Sequence, residues 1–351
     1  MSVPKQRASA SRGAGANPLR SLNPSPLPPF VPPMLCTLIS DAFDDAEWIF
    51  EPKLDGQRVL ARFDRQNVKL FSRYGNDVTI WFPEISGPLQ ESLAKPALLD
   101  GEIVSLDENG RSQFRMLQQR FHLRDQREIA RRAAQFPVYF YIFDLLYTDR
   151  YDITSLPLLD RKELLRQSVK WSERVRWTEF TRRNGTRLFE QACRHGEEGI
   201  IGKRLHSRYI PGRSREWVKI KALNRQEFVI GGFTAPKGSR VGLGALLVGY
   251  YQPDGKTLVY AGKVGTGFSG EILLDLRRRF QPLEQPRSPF AKGDPPRSRD
   301  VSWVKPELVV EVGFAEWTQN GLLRQPRLEG LRLDKKPRDV RRELPNGRPA
   351  S

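Results

Sequence analysis

From Trp48 onward the apolar residues come in short runs, broken every few positions by turn-forming pairs. Trp48–Lys53, Arg58–Phe63 and Val68–Ser72 have the length and composition of strands, with Asp55-Gly56 and Gly75-Asn76 as punctuation. Ala97–Leu106 and Val138–Leu146 follow the same rule. Between these two, Ser112–Ala134 is charged and free of breakers, which predicts one helix; Arg161–Ser168 and Gly185–His195 are further helices. Ile200–Lys203 and Glu216–Lys221 return to strand character.

The texture changes after Lys221. Phe228–Phe233, Leu246–Tyr251, Thr257–Val264 and Val309–Trp317 are strand-like, with tight turns at Pro253-Asp254-Gly255 and Asn320-Gly321 and one helix at Gly270–Phe280. Several strands and one helix in a segment of this size suit a small barrel of the oligonucleotide-binding type. The pattern divides the chain into a disordered Pro/Ser-rich arm (1–30), a first domain (31–222), a barrel domain (223–342) and a tail (343–351), with a linker near Ala222-Leu223-Asn224. A length of 351 residues agrees with two domains.

Charge narrows the partners. The 58 Lys and Arg outnumber 41 Asp and Glu, for a net +17, which calls for a polyanion, nucleic acid first. Residues 1–40 carry four basic and no acidic groups, residues 41–222 carry 32 against 27, and residues 223–351 carry 22 against 14, so the barrel segment is the most basic for its size after the arm. Two distant cysteines, Cys36 and Cys193, exclude a disulfide scaffold or a cysteine-rich zinc site, and His122, His195 and His206 form no metal-ligand pattern. No run of apolar residues is long enough to span a membrane, and the basic, Ser/Ala-rich start lacks the centre of a secretory signal. The expected location is cytoplasmic.

Six ordered segments carry the chemistry. Glu51-Pro52-Lys53-Leu54-Asp55-Gly56-Gln57-Arg58 comes first, followed by Ser72-Arg73-Tyr74-Gly75, Asp100-Gly101-Glu102-Ile103-Val104 and Tyr141-Ile142-Phe143-Asp144. Glu198-Gly199-Ile200-Ile201-Gly202-Lys203 and Trp217-Val218-Lys219-Ile220-Lys221 complete the series. Period-2 alternation puts Lys219 and Lys221 on one strand face, and Asp100 and Glu102 on another. Tyr139, Tyr141 and Phe143 alternate likewise, and core packing is the expectation for the two tyrosines. The Arg277-Arg278-Arg279 run reads equally well as a phosphate-contacting stripe or a solvated helix face.

Taken in this order, the set resembles the covalent nucleotidyltransferase superfamily. Within it the chain is most similar to ATP-dependent DNA ligases, in particular the ligase module of bacterial end-joining (ligase D type) enzymes. The resemblance covers about residues 31–342. It implies an α+β fold, an adenylation domain of antiparallel sheets and helices followed by an oligonucleotide-binding β-barrel. It implies ATP as cofactor with Mg2+ or Mn2+, Lys53 as the nucleophile that carries AMP, and Lys219 and Lys221 as catalytic residues meeting the α-phosphate. Their charge would also favour the neutral amine of Lys53. Glu51, Arg58, Arg73 and Glu102 match nucleotide-binding positions, Glu102 at the ribose and the arginines at the nucleotide and the nick's 5′-phosphate. Phe143 matches the residue that stacks on adenine. Glu198, with Glu102, matches the metal-organising carboxylates. Arg332-Leu333-Asp334-Lys335 matches the last ligase motif, whose Arg332 and Lys335 orient pyrophosphate. The implied partners are nicked or broken duplex DNA and, for a monomeric repair enzyme, an end-binding protein such as Ku. Two rival activities share parts of this pattern: an RNA ligase or RNA-capping guanylyltransferase, and a non-catalytic DNA-end-binding module.

Overall fold

The computed structural model describes residues 18–236 and 242–343. Most of the expected arm (1–17) and the tail beyond 343 lie outside the described residues. Two sheets build the first domain. A five-stranded sheet runs in the order Met34–Leu38, Gly212–Lys221, Gly199–Arg204, Asp44–Pro52, Thr181–Asn184. A six-stranded sheet runs Val68–Ser72, Gln57–Phe63, Ala97–Ser105, Val138–Thr148, Tyr151–Asp152, with Val175–Trp177 paired to Val138–Thr148. Pairing is antiparallel except for Met34–Leu38 with Gly212–Lys221 and Val175–Trp177 with Val138–Thr148. Met34, Ile49, Leu60, Leu98, Leu146, Tyr209 and Trp217 fill the space between the sheets.

The outer faces take the helices. Pro83–Ser92 buries Ile85 and Leu89 against Val59, Leu70, Leu99 and Phe140 of the six-stranded sheet. Gly185–His195 packs Leu188, Phe189 and Ala192 on Phe50, Ile200 and Ile220 of the other. It ends where Gly196 turns left-handed (φ 66°), a conformation glycine enters without steric cost.

Three expectations need correction. The helix expected over Ser112–Ala134 is two pieces, Phe114–Leu117 with a 3-10 turn to Arg120, then Gln126–Gln135. The break has two causes: His122 takes φ 59°, and Asp125 caps the second helix by accepting from the Glu128 amide. Residues 18–30 are not loose: Ser25 accepts from Tyr147 Oη at 2.7 Å through its carbonyl, and the Phe30 ring lies edge-on to Phe71. Tyr139 and Tyr141 are not core residues. Val138, Phe140 and Ile142 are the buried set of that strand, and the tyrosines stack under Arg174 and Arg176.

The barrel domain is organised by one long strand, Arg225–Thr234. Its first half pairs with Val309–Gly313 and its second with Val301–Val304, while Leu246–Tyr251 runs along its other edge. Arg327–Leu331 pairs with Val309–Gly313, and the Leu328 amide donates to Thr266 O just beyond Leu258–Val264, closing the circuit. Helix Gly270–Phe280, capped by Ser269, covers one end with Ile272, Leu273, Leu276 and Phe280. On its outer face Arg277 pairs with Glu284, and Arg278 and Arg279 pair with Asp275. That arginine run is a solvated, carboxylate-paired face. The barrel lies against the first domain: Leu331 N donates to Gln118 Oε1, and Arg332 lies 4.0 Å from the Phe114 ring centre.

Candidate active site

A cavity of about 300 Å³ opens where the two sheets meet, and the barrel covers it. Lys53 enters it directly after Pro52 ends its strand, and the Lys53 amide makes the last ladder bond to Gly199 O. Its ammonium is paired with Glu198. That carboxylate is brought here by Gly199, whose φ of 136° and close approach to Ile220 O leave no room for a Cβ. Gly56 does the same for the lysine loop, since a Cβ there would lie 2.3 Å from Ile103 O.

The pairing sets the charge on Lys53. Burial opposes the ammonium, but the adjacent Glu198 carboxylate overrides it and raises the amine above its ordinary value. Neighbouring cations were expected to favour the neutral amine; here the Glu198 carboxylate outweighs them and favours the ammonium. Lys219 and Lys221 are themselves bound to Glu343, at 2.6 and 2.7 Å, and Lys53 and Lys219 still repel each other.

Arg58 is fixed on all sides. It donates to both oxygens of fully buried Asp100 (2.9 and 2.6 Å) and to Met34 O, while Tyr209 Oη also donates to Asp100. Asp100 is thus the anchor that aims Arg58 past the Phe143 ring, 5.2 Å away. Glu102 stands across the strands from Arg58. Burial pushes its carboxyl up to about 7 against the pull of Arg58 and Lys53. Arg73 lines the opening beside Tyr74.

The far end of the cavity is aromatic. Phe143 and Trp217 stand edge-to-face, with Lys203 Nζ 4.1 Å from each ring centre. Glu51 does not present a free carboxylate: buried Lys162 and Lys203 take its two oxygens, the latter at 2.7 Å. Thr178 also lines this end, almost fully buried, and its hydroxyl has no hydrogen-bond partner among the described residues. From the barrel come Arg332 and Lys335. Asp334 holds Arg332 at 2.9 Å, Glu311 approaches it at 3.4 Å, and Glu227 holds Lys335 at 2.8 Å.

The cavity therefore gathers Lys53, Glu198, Glu102, Arg58, Arg73, Phe143, Lys219, Lys221, Arg332 and Lys335 from both domains. Lys162, Lys203, Thr178, Glu227, Glu311 and Glu343 were not singled out for a role from sequence. Lys203 ends the Glu198–Lys203 motif and Trp217 begins the Trp217–Lys221 motif; the others carry no local signal. Among the described residues no group of three His, Cys, Asp or Glu side chains is placed to hold a metal ion. No described helix is long and apolar enough to cross a membrane.

Lys53 paired with Glu198, and Lys219 and Lys221 under the covering barrel, agree with the arrangement implied by the resemblance to covalent nucleotidyltransferases. Residues 33–221 match the ATP dependent DNA ligase domain, and residues 239–335 match the ATP dependent DNA ligase C terminal region. The multifunctional non-homologous end joining protein LigD of Pseudomonas aeruginosa is 38% identical over 329 residues, covering 93% of this chain and 38% of that protein. The DNA ligase of Pyrobaculum calidifontis is 33% identical over 365 residues, covering 93% of this chain and 61% of that one. A solved mycobacterial DNA ligase D complexed with ATP and MES superposes with a TM-score of 0.64 at 38% identity, covering 89% of this chain and 98% of that one. The chain belongs to the ATP-dependent DNA ligase family. It spans less than two-fifths of the length of the LigD relative.

Proposed function

We propose that the chain seals 5′-phosphate/3′-hydroxyl breaks in duplex DNA, at the expense of ATP, as part of DNA end-joining repair. The observation that carries this reading is the meeting of Lys53, Glu198, Lys219, Lys221, Arg332 and Lys335 around one cavity. Lys53 attacks the α-phosphate of ATP, a new N–P bond forms, and pyrophosphate leaves. AMP then passes from Lys53 to the 5′-phosphate of the break. Attack by the 3′-hydroxyl on that activated phosphate expels AMP and closes the strand. Negative charge grows on phosphate oxygens in each step, and preformed cations answer it: Lys219 and Lys221 at the α-phosphate, Arg332 and Lys335 at the leaving pyrophosphate.

The resemblance supplies the residue roles. Phe143 offers a stacking face at the aromatic end, and Glu102 is an acceptor for ribose hydroxyls. Lys53 must lose its proton before attack, so its pair with Glu198 has to loosen. A hard divalent cation suits this donor set, because Mg2+ is held by one or two carboxylates together with substrate phosphates and needs no all-protein cage. Glu198, with Glu102 behind it, would hold the ion. When bound, Mg2+ or Mn2+ adds positive charge at the phosphates. The same reading has the chain acting as a monomer on a single break, recruited by an end-binding protein of the Ku type; the end-joining name of its LigD relative supports that role.

Incubation with α-labelled ATP and metal tests the proposal. Wild-type chain should acquire acid-labile AMP at Lys53 and seal nicked DNA. Lys53→Ala should take up none, and Lys53→Arg should also fail, because a guanidinium keeps its proton at working pH. Labelling of either variant, labelling by GTP in place of ATP, or sealing of RNA alone would overturn the assignment.

A further inference from the structure

The end of the described chain reaches into the cavity in a way that the proposed chemistry does not require. Residues 337–343 are anchored to the barrel. Val340 is buried with Val229, Tyr251, Leu258 and Val309, and its carbonyl accepts from the Tyr251 amide at 2.9 Å. Arg338 donates to Gly255 O at 2.6 Å. Gln226 clasps the last turn from both sides, donating to Arg341 O at 3.0 Å and accepting from the Glu343 amide at 3.1 Å.

This anchored segment delivers Glu343 to Lys219 and Lys221. One carboxylate oxygen takes each ammonium, at 2.6 and 2.7 Å, and three-quarters of the side chain is buried. The two lysines are themselves mostly buried and repel each other, so an anion between them is the natural complement. Burial works against the charged form of Glu343, yet the lysine pair holds its carboxyl down to about 2, so it is ionised at any working pH.

We propose that Glu343 occupies the place of the nucleotide's α-phosphate, so that it must be displaced when ATP binds, and that its contact latches the barrel over the empty cavity. The inference rests on the reading of Lys219 and Lys221 as α-phosphate ligands. A phosphate brought between these two ammonium groups would lie against the Glu343 carboxylate, and the two anions would repel each other. ATP must therefore displace Glu343, and it gives the lysines a replacement anion as it does so. Once Lys53 carries AMP, the phosphate stays beside Lys219 and Lys221, and the latch cannot re-form. The empty enzyme is thus held shut by its own chain, and the charged enzyme is free to open towards DNA.

Glu343→Gln keeps the shape and removes the charge. Enzyme stripped of AMP with pyrophosphate is compared with wild type in two measurements: the ATP concentration dependence of Lys53–AMP formation, and binding of a nicked duplex without ATP. If the latched state holds roughly nine-tenths of the molecules, the apparent KM for ATP should fall roughly tenfold in Glu343→Gln without loss of kcat. Affinity of the AMP-free enzyme for nicked duplex should rise, whereas the two adenylated enzymes should bind it equally. Glu343→Asp retains the charge and should stay nearer to wild type in both. An unchanged or raised KM, or equal DNA binding by the AMP-free enzymes, overturns the latch. If wild type adenylates normally in that case, only the latch is lost; if wild type takes up no AMP at all, the ligase reading falls with it.

Discussion

At the scale of single residues, the cavity is a balance of buried charges in which partners matter more than position. Lys53 sits in a strongly cationic cleft, yet Glu198 favours its ammonium form, and Glu343 binds Lys219 and Lys221. Glu102, like Asp55 and Glu311 in the same cavity, is left with incomplete compensation for its burial. Its folded carboxyl titrates near 7, against an ordinary value of 4.5, because burial outweighs the attraction of Arg58 and Lys53. A raised acid binds its proton more tightly in the folded state, so stability falls as pH rises from about 4.5 to about 7 and is flat above that. Glu102→Gln should therefore match wild type near pH 4 and exceed it at pH 8 by up to about 3 kcal/mol, at roughly 1.4 kcal/mol for each unit of the difference. Denaturant unfolding of both proteins across this range checks the sign. A difference that shrinks with rising pH would show that Glu102 is well solvated or paired.

Elements are held in place by a second set of charges, outside the chemistry. Asp144 follows Phe143 on its strand, is completely buried, and grips Arg161 of helix Leu158–Ser168 through two bonds of 2.9 and 2.8 Å. Arg161 also donates to Leu156 O and Ser207 O, so one guanidinium ties a helix, a strand and a loop together behind the aromatic end of the cavity. Arg161→Ala leaves the Asp144 charge buried and alone, and should cost about 3–5 kcal/mol in a chemical-denaturation measurement. A loss below 1 kcal/mol would mean that water replaces the guanidinium. What the sequence revealed and what it hid follow the same division. Strand runs around Lys53, Arg58, Glu102 and Lys219 were legible because alternation and turn residues are local signals. The break at His122–Asp125 was not: ahead of the left-handed His122 and the Asp125 cap, Arg120 is buried against Glu84 and Trp81 O, contacts made across the fold. Glu227, Glu311 and Glu343 were invisible for the same reason. Each is an ordinary charged residue until the barrel docks, and nothing adjacent to it in sequence marks it.

On the scale of the whole molecule, the closed arrangement serves only one part of the proposed reaction. Arg332 lies against Phe114 and Glu311, and Lys335 against Glu227; the four charged residues line the cavity that contains Lys53. In this position they can meet the leaving pyrophosphate of ATP, and the barrel also blocks any duplex from the same face. On the proposed reaction the barrel would turn away before the second and third steps, carrying Arg332 and Lys335 with it. Replacing both with alanine should consequently slow formation of Lys53–AMP by orders of magnitude, since preformed donors at a developing charge are worth several kcal/mol each. Sealing of a nick supplied already bearing 5′-AMP involves no pyrophosphate and should be largely spared. Single-turnover rates of the two steps in the Arg332→Ala/Lys335→Ala protein separate the cases. Loss confined to the first step fits a barrel that works once while shut and again, through other residues, while open. Equal loss in both would mean that these side chains contact DNA or hold the barrel together, and the two-position cycle would have to be abandoned.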